Sequence, residues 1–326
     1  MNMVLFFISL LFSSSIIFNF GIAEYSLPST KSRLIGKNKQ YVVPNDRPPL
    51  EEIARKFKIG LLGMLEANPG IDPYLPKAGI KLIIPSQMLL PATKRNGIII
   101  NLAELRLYFF PKGSNKVIVY PIGIGQLGTN NTPIMITNVS QLIKNPTWTP
   151  TSNIRKRYAE DGIILPQVLP AGPDNPMGLY ALRLSYDQGQ YLIHGTNTNF
   201  GIGLRITAGC IRLRPDDMEK LFYSIPIGTR VQIINEPIKY SKEQDGSYYI
   251  EVHQPLSTRE SDDPQIMPLI YSKEFKKFLQ QAEIDKELVD KTIARRSGMP
   301  VKINKIKLNP KNNNRKNIIK KVTIYN

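Results

Sequence analysis

The chain has 326 residues, enough to bury a sizeable core and to hold about two domains. Its 43 Lys and Arg against 26 Asp and Glu leave a net charge of +17. A single Cys excludes an internal disulfide, and only two His leave too few ligands for a zinc cage, so no metal and no cofactor is expected.

Residues 1–23 read as a secretory leader: residues 4–12 and 16–20 are apolar, and Gly21-Ile22-Ala23 offers small residues before a cut. No Lys or Arg precedes the apolar run, which is close to the minimum for spanning a bilayer, so an uncleaved membrane anchor is the alternative. Residues 24–38 are polar without a sustained period and read as a linker.

A compact unit is expected over residues 39–86. Residues 41–43 form a strand, and residues 50–57 a helix with Leu50, Ile53, Ala54 and Phe57 at helical spacing. Residues 61–67 form a second helix, stopped by Asn68-Pro69-Gly70, and residues 82–85 return as a strand. From Gly97 the pattern turns β-rich. A hairpin joins strands at 98–100 and 105–110, followed by strands at 117–124, 178–184, 191–194 and 230–234. Between them, residues 126–176 are rich in Pro, Asn and Thr, hold the only Trp, Trp148, and read as a long irregular insertion.

Residues 216–222 form a helix with Asp216 as its cap and Met218, Leu221 and Phe222 on one side, placed to brace the preceding loop. A C-terminal extension, 236–301, contains a strand at 248–252 and a helical stretch at 274–295. The tail, 302–326, carries eight Lys and Arg and no acid, with Asn312–Asn314 at its centre, and reads as disordered. Such a tail suits nucleic acid, anionic lipid or an anionic wall polymer. The export signal and the lack of aromatic-basic interleaving argue against nucleic acid, and an AT-rich codon bias accounts for the composition.

The chemistry concentrates at Cys210 and His194. A thiol that must become a thiolate needs a base, and imidazole takes a proton near neutral pH unaided. Gly195 and Gly209 remove side chains beside both groups and let a substrate backbone approach. If His194 serves Cys210, the thiol should titrate below its free value of about 8.5. The alternative is a buried structural Cys.

His194-Gly195-Thr196, then Thr207-Ala208-Gly209-Cys210-Ile211-Arg212 with Cys210 16 positions after His194, resembles the signature of the L,D-transpeptidase (YkuD-type) family. The likeness runs from about Lys39 to Val301 and is closest to the periplasmic Gram-negative branch. It implies a mainly β protein: a YkuD-type β-sandwich catalytic domain at 97–235 with a short helix after the Cys loop, preceded by a LysM-like α+β module at 39–86. It further implies a periplasmic enzyme acting on peptidoglycan tetrapeptide stems. Cys210 would form a thioester with the third stem residue, releasing D-Ala, and His194 would move the protons. The acyl acceptor would be an amine, of the wall or of an outer-membrane lipoprotein. Gly209 and Thr207 would support the oxyanion or the loop, and Arg212, Thr196 and Asn197 would contact substrate or fix their own loops. Many family members carry a second His where this chain has Ala208. Water as acceptor, or an inactive wall-binding protein, are the competing readings. Membrane is a partner only if the leader stays uncut.

Overall fold

The computed structural model describes residues 23–128 and 131–306; the expected leader, Ala23 apart, and the tail beyond residue 306 lie outside the described residues. The segment read as a linker is integrated into the fold. Strand β1 (Glu24–Ser26) lies on the edge of the main sheet, and β2 (Leu34–Ile35) follows it. Tyr25 and Leu27 pack on a buried apolar cluster, and Arg33 donates through Nε to the Leu90 carbonyl and through Nη1 to that of Tyr240, both at 2.6 Å. These strands are too short to show a period, which is why they read as linker.

The next unit is as expected: β3 (Lys39–Val42), α1 (Leu50–Lys56), α2 (Leu61–Ala67) and β4 (Lys81–Ile84), with β3 and β4 antiparallel. Val43, Leu50, Ile53, Met64, Leu82 and Ile84 make its core. Asn68, after α2, donates to the carbonyls of Met64 and Ile83 and accepts from the Ile83 amide, tying the helix end to β4. Strand β5 (Met88–Leu89) then pairs with β2.

The main sheet begins with β6 (Gly97–Asn101), β7 (Arg106–Phe110) and β8 (Lys116–Pro121), joined antiparallel. Short β9 (Ile124–Gly125) and long β10 (Met135–Lys144) follow, then helix α3 (Ser152–Glu160). Strands β11 (Tyr180–Leu184), β12 (Leu192–His194), β13 (Arg205–Thr207) and β14 (Ile211–Arg212), helix α4 (Pro215–Ser224) and β15 (Arg230–Ile234) complete the domain. The sheet order is β1-β8-β7-β6-β15-β10-β11-β12-β14.

Strand β10 belongs to two leaves. Its first half pairs with β15 and its second half with β11, with a register shift between Val139 and Gln141 where the sheet folds over. Ile98, Phe109, Leu182, Ile193, Ile211 and Met218 meet between the leaves, while Ile99, Tyr108 and Val117 face the cover formed by β2 and β5. Burial on both faces explains the unbroken apolar run of β6.

Two expectations for this region are corrected. The stretch 126–176 contains the longest strand, β10, and helix α3. In β10 Met135, Thr137 and Val139 point inward and alternate with exposed residues, but polar inward Thr137 and exposed Ile136 blur the alternation. Helix α4 is capped by Arg214 without a side-chain bond, with Pro215 at its first position and Asp216 and Asp217 in its first turn. Proline's missing N–H suits that first position, so the helix starts one residue ahead of the expected Asp cap.

The C-terminal unit has an antiparallel sheet of β16 (Ile238–Lys242), β17 (Tyr248–Val252) and, after α5 (Lys273–Phe278) and α6 (Lys286–Arg295), β18 (Val301–Lys302). The helical stretch is thus two helices, each capped by its own side chain, Ser272 and Asp285. The first tail residues also belong here: Lys302 pairs with Tyr249, Ile303 is buried, and Asn304 accepts from the Tyr248 amide.

The three units meet around a buried ion cluster. Arg106 lies 3.1 Å from Glu104 and 3.0 Å from Glu251, and Lys239 lies 2.7 Å and 2.9 Å from the same two carboxylates. His253 bridges Glu251 at 2.8 Å and Glu66 of α2 at 3.1 Å. Burial opposes charge on His253, yet Glu66 and Glu251 together outweigh it and raise its pKa to about 9. Three cations then face three carboxylates. Glu104, Glu251 and His253 bring donor atoms within 4.8 Å of one another, with Arg106 and Lys239 already supplying the positive charge a metal would bring.

Candidate active site

Strands β12 and β14 run parallel with Ile193 opposite Ile211 and His194 opposite Arg212. Alternate residues on a strand share a face, so His194, Arg212 and Cys210, two before Arg212, point to the same side. All three line one cavity of about 360 Å³. Gly195, next after His194, lies against Met218 of α4, 3.5 Å from where a Cβ would sit. Helix α4 thus backs the strand that carries His194.

The turn before Cys210 is fixed by hydroxyls. Thr207 Oγ1 donates to the Cys210 carbonyl at 2.6 Å and accepts from the Gly209 amide at 3.3 Å. Gly209 has φ +107°, open to Gly alone at low cost, and its carbonyl accepts from Thr132 Oγ1 at 2.9 Å. Because Thr207 takes the Gly209 amide, that donor is not the one aimed at substrate.

His194 is buried, and its Nδ1 lies 2.6 Å from the Gly195 carbonyl. A carbonyl only accepts, so Nδ1 carries the proton and the lone pair sits on Nε2. Burial, and the charge of Arg212, push its pKa down to about 4 against the opposing pull of the Gly195 and Met177 backbone. Cys210 is partly buried, and burial pushes its thiol up, although a backbone hydrogen bond from Leu192 and the nearby Arg212 favour the thiolate. The expectation of a thiol titrating below its free value is therefore corrected: desolvation outweighs the cation. The resting pair is a neutral thiol and a neutral imidazole.

Helix α3 forms the roof. Its cap Thr151 accepts from the Ile154 amide, and none of its residues is buried. Ile154, Arg157 and Tyr158, at helical spacing, instead line the cavity, together with Trp148 beside the helix. Residues 148 and 169 exchange backbone hydrogen bonds at 2.9 and 2.7 Å, which holds the roof's approach. Among the lining residues are Arg157 and Arg212 and no carboxylate, and Arg212 Nε is buried without a partner. The cavity is therefore suited to an anionic group.

Thr196 and Asn197 do not line it. Thr196 Oγ1 accepts from the Thr198 amide at 3.3 Å, and Asn197 Nδ2 donates to the Pro173 carbonyl at 3.0 Å, so both pin loops. Ala208 does line it, at the place where the related signature often has His. Arg157 and Tyr158 escaped the sequence reading; the signal for them was Thr151 followed by apolar Ile154 and Tyr158 one turn apart.

A family model described as the L,D-transpeptidase catalytic domain matches residues 95–233, and one described as the L,D-transpeptidase C-terminal domain matches residues 237–303. The chain is 53% identical over 287 residues to the probable L,D-transpeptidase YcfS of Escherichia coli (strain K12), covering 88% of this chain and 90% of that protein. It is 51% identical over 284 residues to the probable L,D-transpeptidase YbiS of the same organism, covering 86% and 92%. Against the probable L,D-transpeptidase ErfK/SrfK of Salmonella typhimurium it is 48% identical over 283 residues, covering 86% and 91%.

Proposed function

Because the chain belongs to the L,D-transpeptidase family, we propose that it transfers a peptidoglycan stem from its terminal D-Ala to an amine, with Cys210 as nucleophile and His194 as base. The observation that carries this reading is the shared face of β12 and β14, which brings a neutral imidazole, a thiol and a guanidinium with an unpartnered Nε into one cavity. Cys210 Sγ attacks the carbonyl of the third stem residue while its proton passes to His194 Nε2. Arg212 favours the thiolate as it forms, and the Cys210 backbone amide is the donor we assign to the developing oxyanion. His194 returns the proton to the departing D-Ala nitrogen, leaving a thioester. An incoming amine gives a proton to the same imidazole and takes the acyl group, restoring the thiol.

Arg157 and Arg212 suit carboxylates of the stem. A diamino acid of the wall and a lipoprotein Lys are the amines this chemistry serves, and the apolar leader at residues 1–23 supports work in the periplasm. Incubation with a soluble tetrapeptide stem and an amine acceptor tests the reading. The wild type should release D-Ala and gain the mass of a tripeptide acyl group, and Cys210→Ala should do neither. D-Ala release by Cys210→Ala would overturn the assignment of the nucleophile.

A further inference from the structure

The chain between His194 and Cys210 is held from outside its own domain. Helix α2 begins at Leu61 with no side-chain cap, and the amides of Leu61 and Leu62 instead donate to the carbonyls of Ile202 and Gly203, at 3.1 and 3.3 Å. Those amides are orphans in any helix, so loop and helix complete each other. From α1, Glu51 Oε1 accepts from the Gly201 amide at 3.0 Å. The two backbones touch: a Cβ on Gly203, which has φ +87°, would lie 2.3 Å from Leu61 N. Gly203 in turn donates to the Ile122 carbonyl at 2.9 Å, so it is clamped between the module and the main sheet.

A second clamp lies alongside. Lys58, buried between α1 and α2, pairs with Asp216 at 2.5 Å and Asp217 at 2.9 Å on α4. Fully buried Arg214 donates to the Ile59 carbonyl at 2.8 Å. From the first clamp the contacts lead straight to the cavity. Ile206 Cδ1 occupies the space beside Gly201 where a Cβ would sit, and Ile206 and Phe200 both line the wall around Cys210.

We infer that the unit at residues 39–86 is a positioning element of the active site: its docked face sets the 200–206 segment that walls the cavity beside Cys210. It acts through that segment and touches neither substrate nor the reacting atoms. The inference rests on the transpeptidase reading only where turnover is measured; thiol reactivity tests it independently.

The experiment compares full-length wild type, Glu51→Ala, Glu51→Gln and Gly203→Ala. Cys210 alkylation by iodoacetamide is followed against pH, and D-Ala release is measured from a soluble tetrapeptide that carries no glycan strand. Glu51→Ala removes one hydrogen bond at an otherwise tolerant helix position, and kcat should fall about fivefold with KM little changed. The thiol, less desolvated behind a loosened wall, should alkylate faster and with a lower midpoint. Glu51→Gln keeps an acceptor oxygen and should match the wild type, whereas Gly203→Ala should shift both readouts further. If Gly203→Ala does not fold, the Glu51 pair decides. Folded variants with wild-type alkylation and wild-type kcat would overturn the inference, as would losses seen only on polymeric wall, which would make the module a glycan anchor. A wild type that releases no D-Ala would overturn the functional reading alone, because the alkylation comparison still reports on the wall.

Discussion

At Cys210 and His194, burial rather than mutual pairing sets the protonation state. His194, depressed to about 4, stays unprotonated far below the usual imidazole range. The acid limb of kcat/KM should therefore lie near pH 4 instead of near 6.5, and a pH–rate profile checks this. An acid limb between 6 and 7 would mean that the imidazole is more solvated than its surroundings imply. The thiol, raised by burial, should alkylate with a midpoint above its free value of about 8.5. With Ala208 in place of a second imidazole, the proposed mechanism gives both half-reactions to one His. Its weak basicity then favours returning the proton quickly to a leaving amine.

The roof helix is the element whose role can be isolated. Ile154, Arg157 and Tyr158 face the cavity from a helix with no buried residue, so changing Arg157 should spare the fold. Arg157→Ala should raise KM for a carboxylate-bearing stem about tenfold, the loss of one charge-assisted hydrogen bond, with a smaller effect on kcat. Steady-state kinetics with a stem amidated at the same carboxylate should show no such difference. This helix also marks the limit of what was legible in the sequence. Helices α1 and α2 announced themselves because Leu50, Ile53, Ala54 and Met64 repeat apolar at the spacing of a packed face. Helix α3 packs on a cavity instead of a core, so its face mixes Ile, Arg and Tyr and shows no apolar stripe. Cys210 and His194 were legible from their glycines and spacing. The depressed imidazole was not, because desolvation comes from residues distant in sequence, and neither was the docking of the module, which is made largely by backbone atoms.

For the whole molecule, the two histidines pull stability in opposite directions with pH. His253, raised from 6.5 to about 9, contributes stability that is fully present below pH 6.5 and lost as pH rises through 9. His194, depressed to about 4, costs stability as pH falls from 6.5 toward 4. Urea unfolding in a Cys210→Ala background, which removes thiol titration, should show a decline on the order of 3 kcal/mol between pH 6.5 and 9. His253→Gln should flatten that alkaline limb while lowering stability at pH 6.5, and an unchanged limb would show that His253 is not charged at neutral pH.

The cluster around His253 draws Glu66 from the first unit, Glu104 and Arg106 from the second, and Lys239, Glu251 and His253 from the third. A recombination event that imported the middle unit alone would strand the Glu104–Arg106 pair without Lys239 and Glu251, and one that replaced the first would take Glu66 from His253. The cluster therefore ties the three units together, so that exchanging any one of them disturbs charges held by the other two. A chimera between two such enzymes should succeed when its crossover leaves all six charges from one parent.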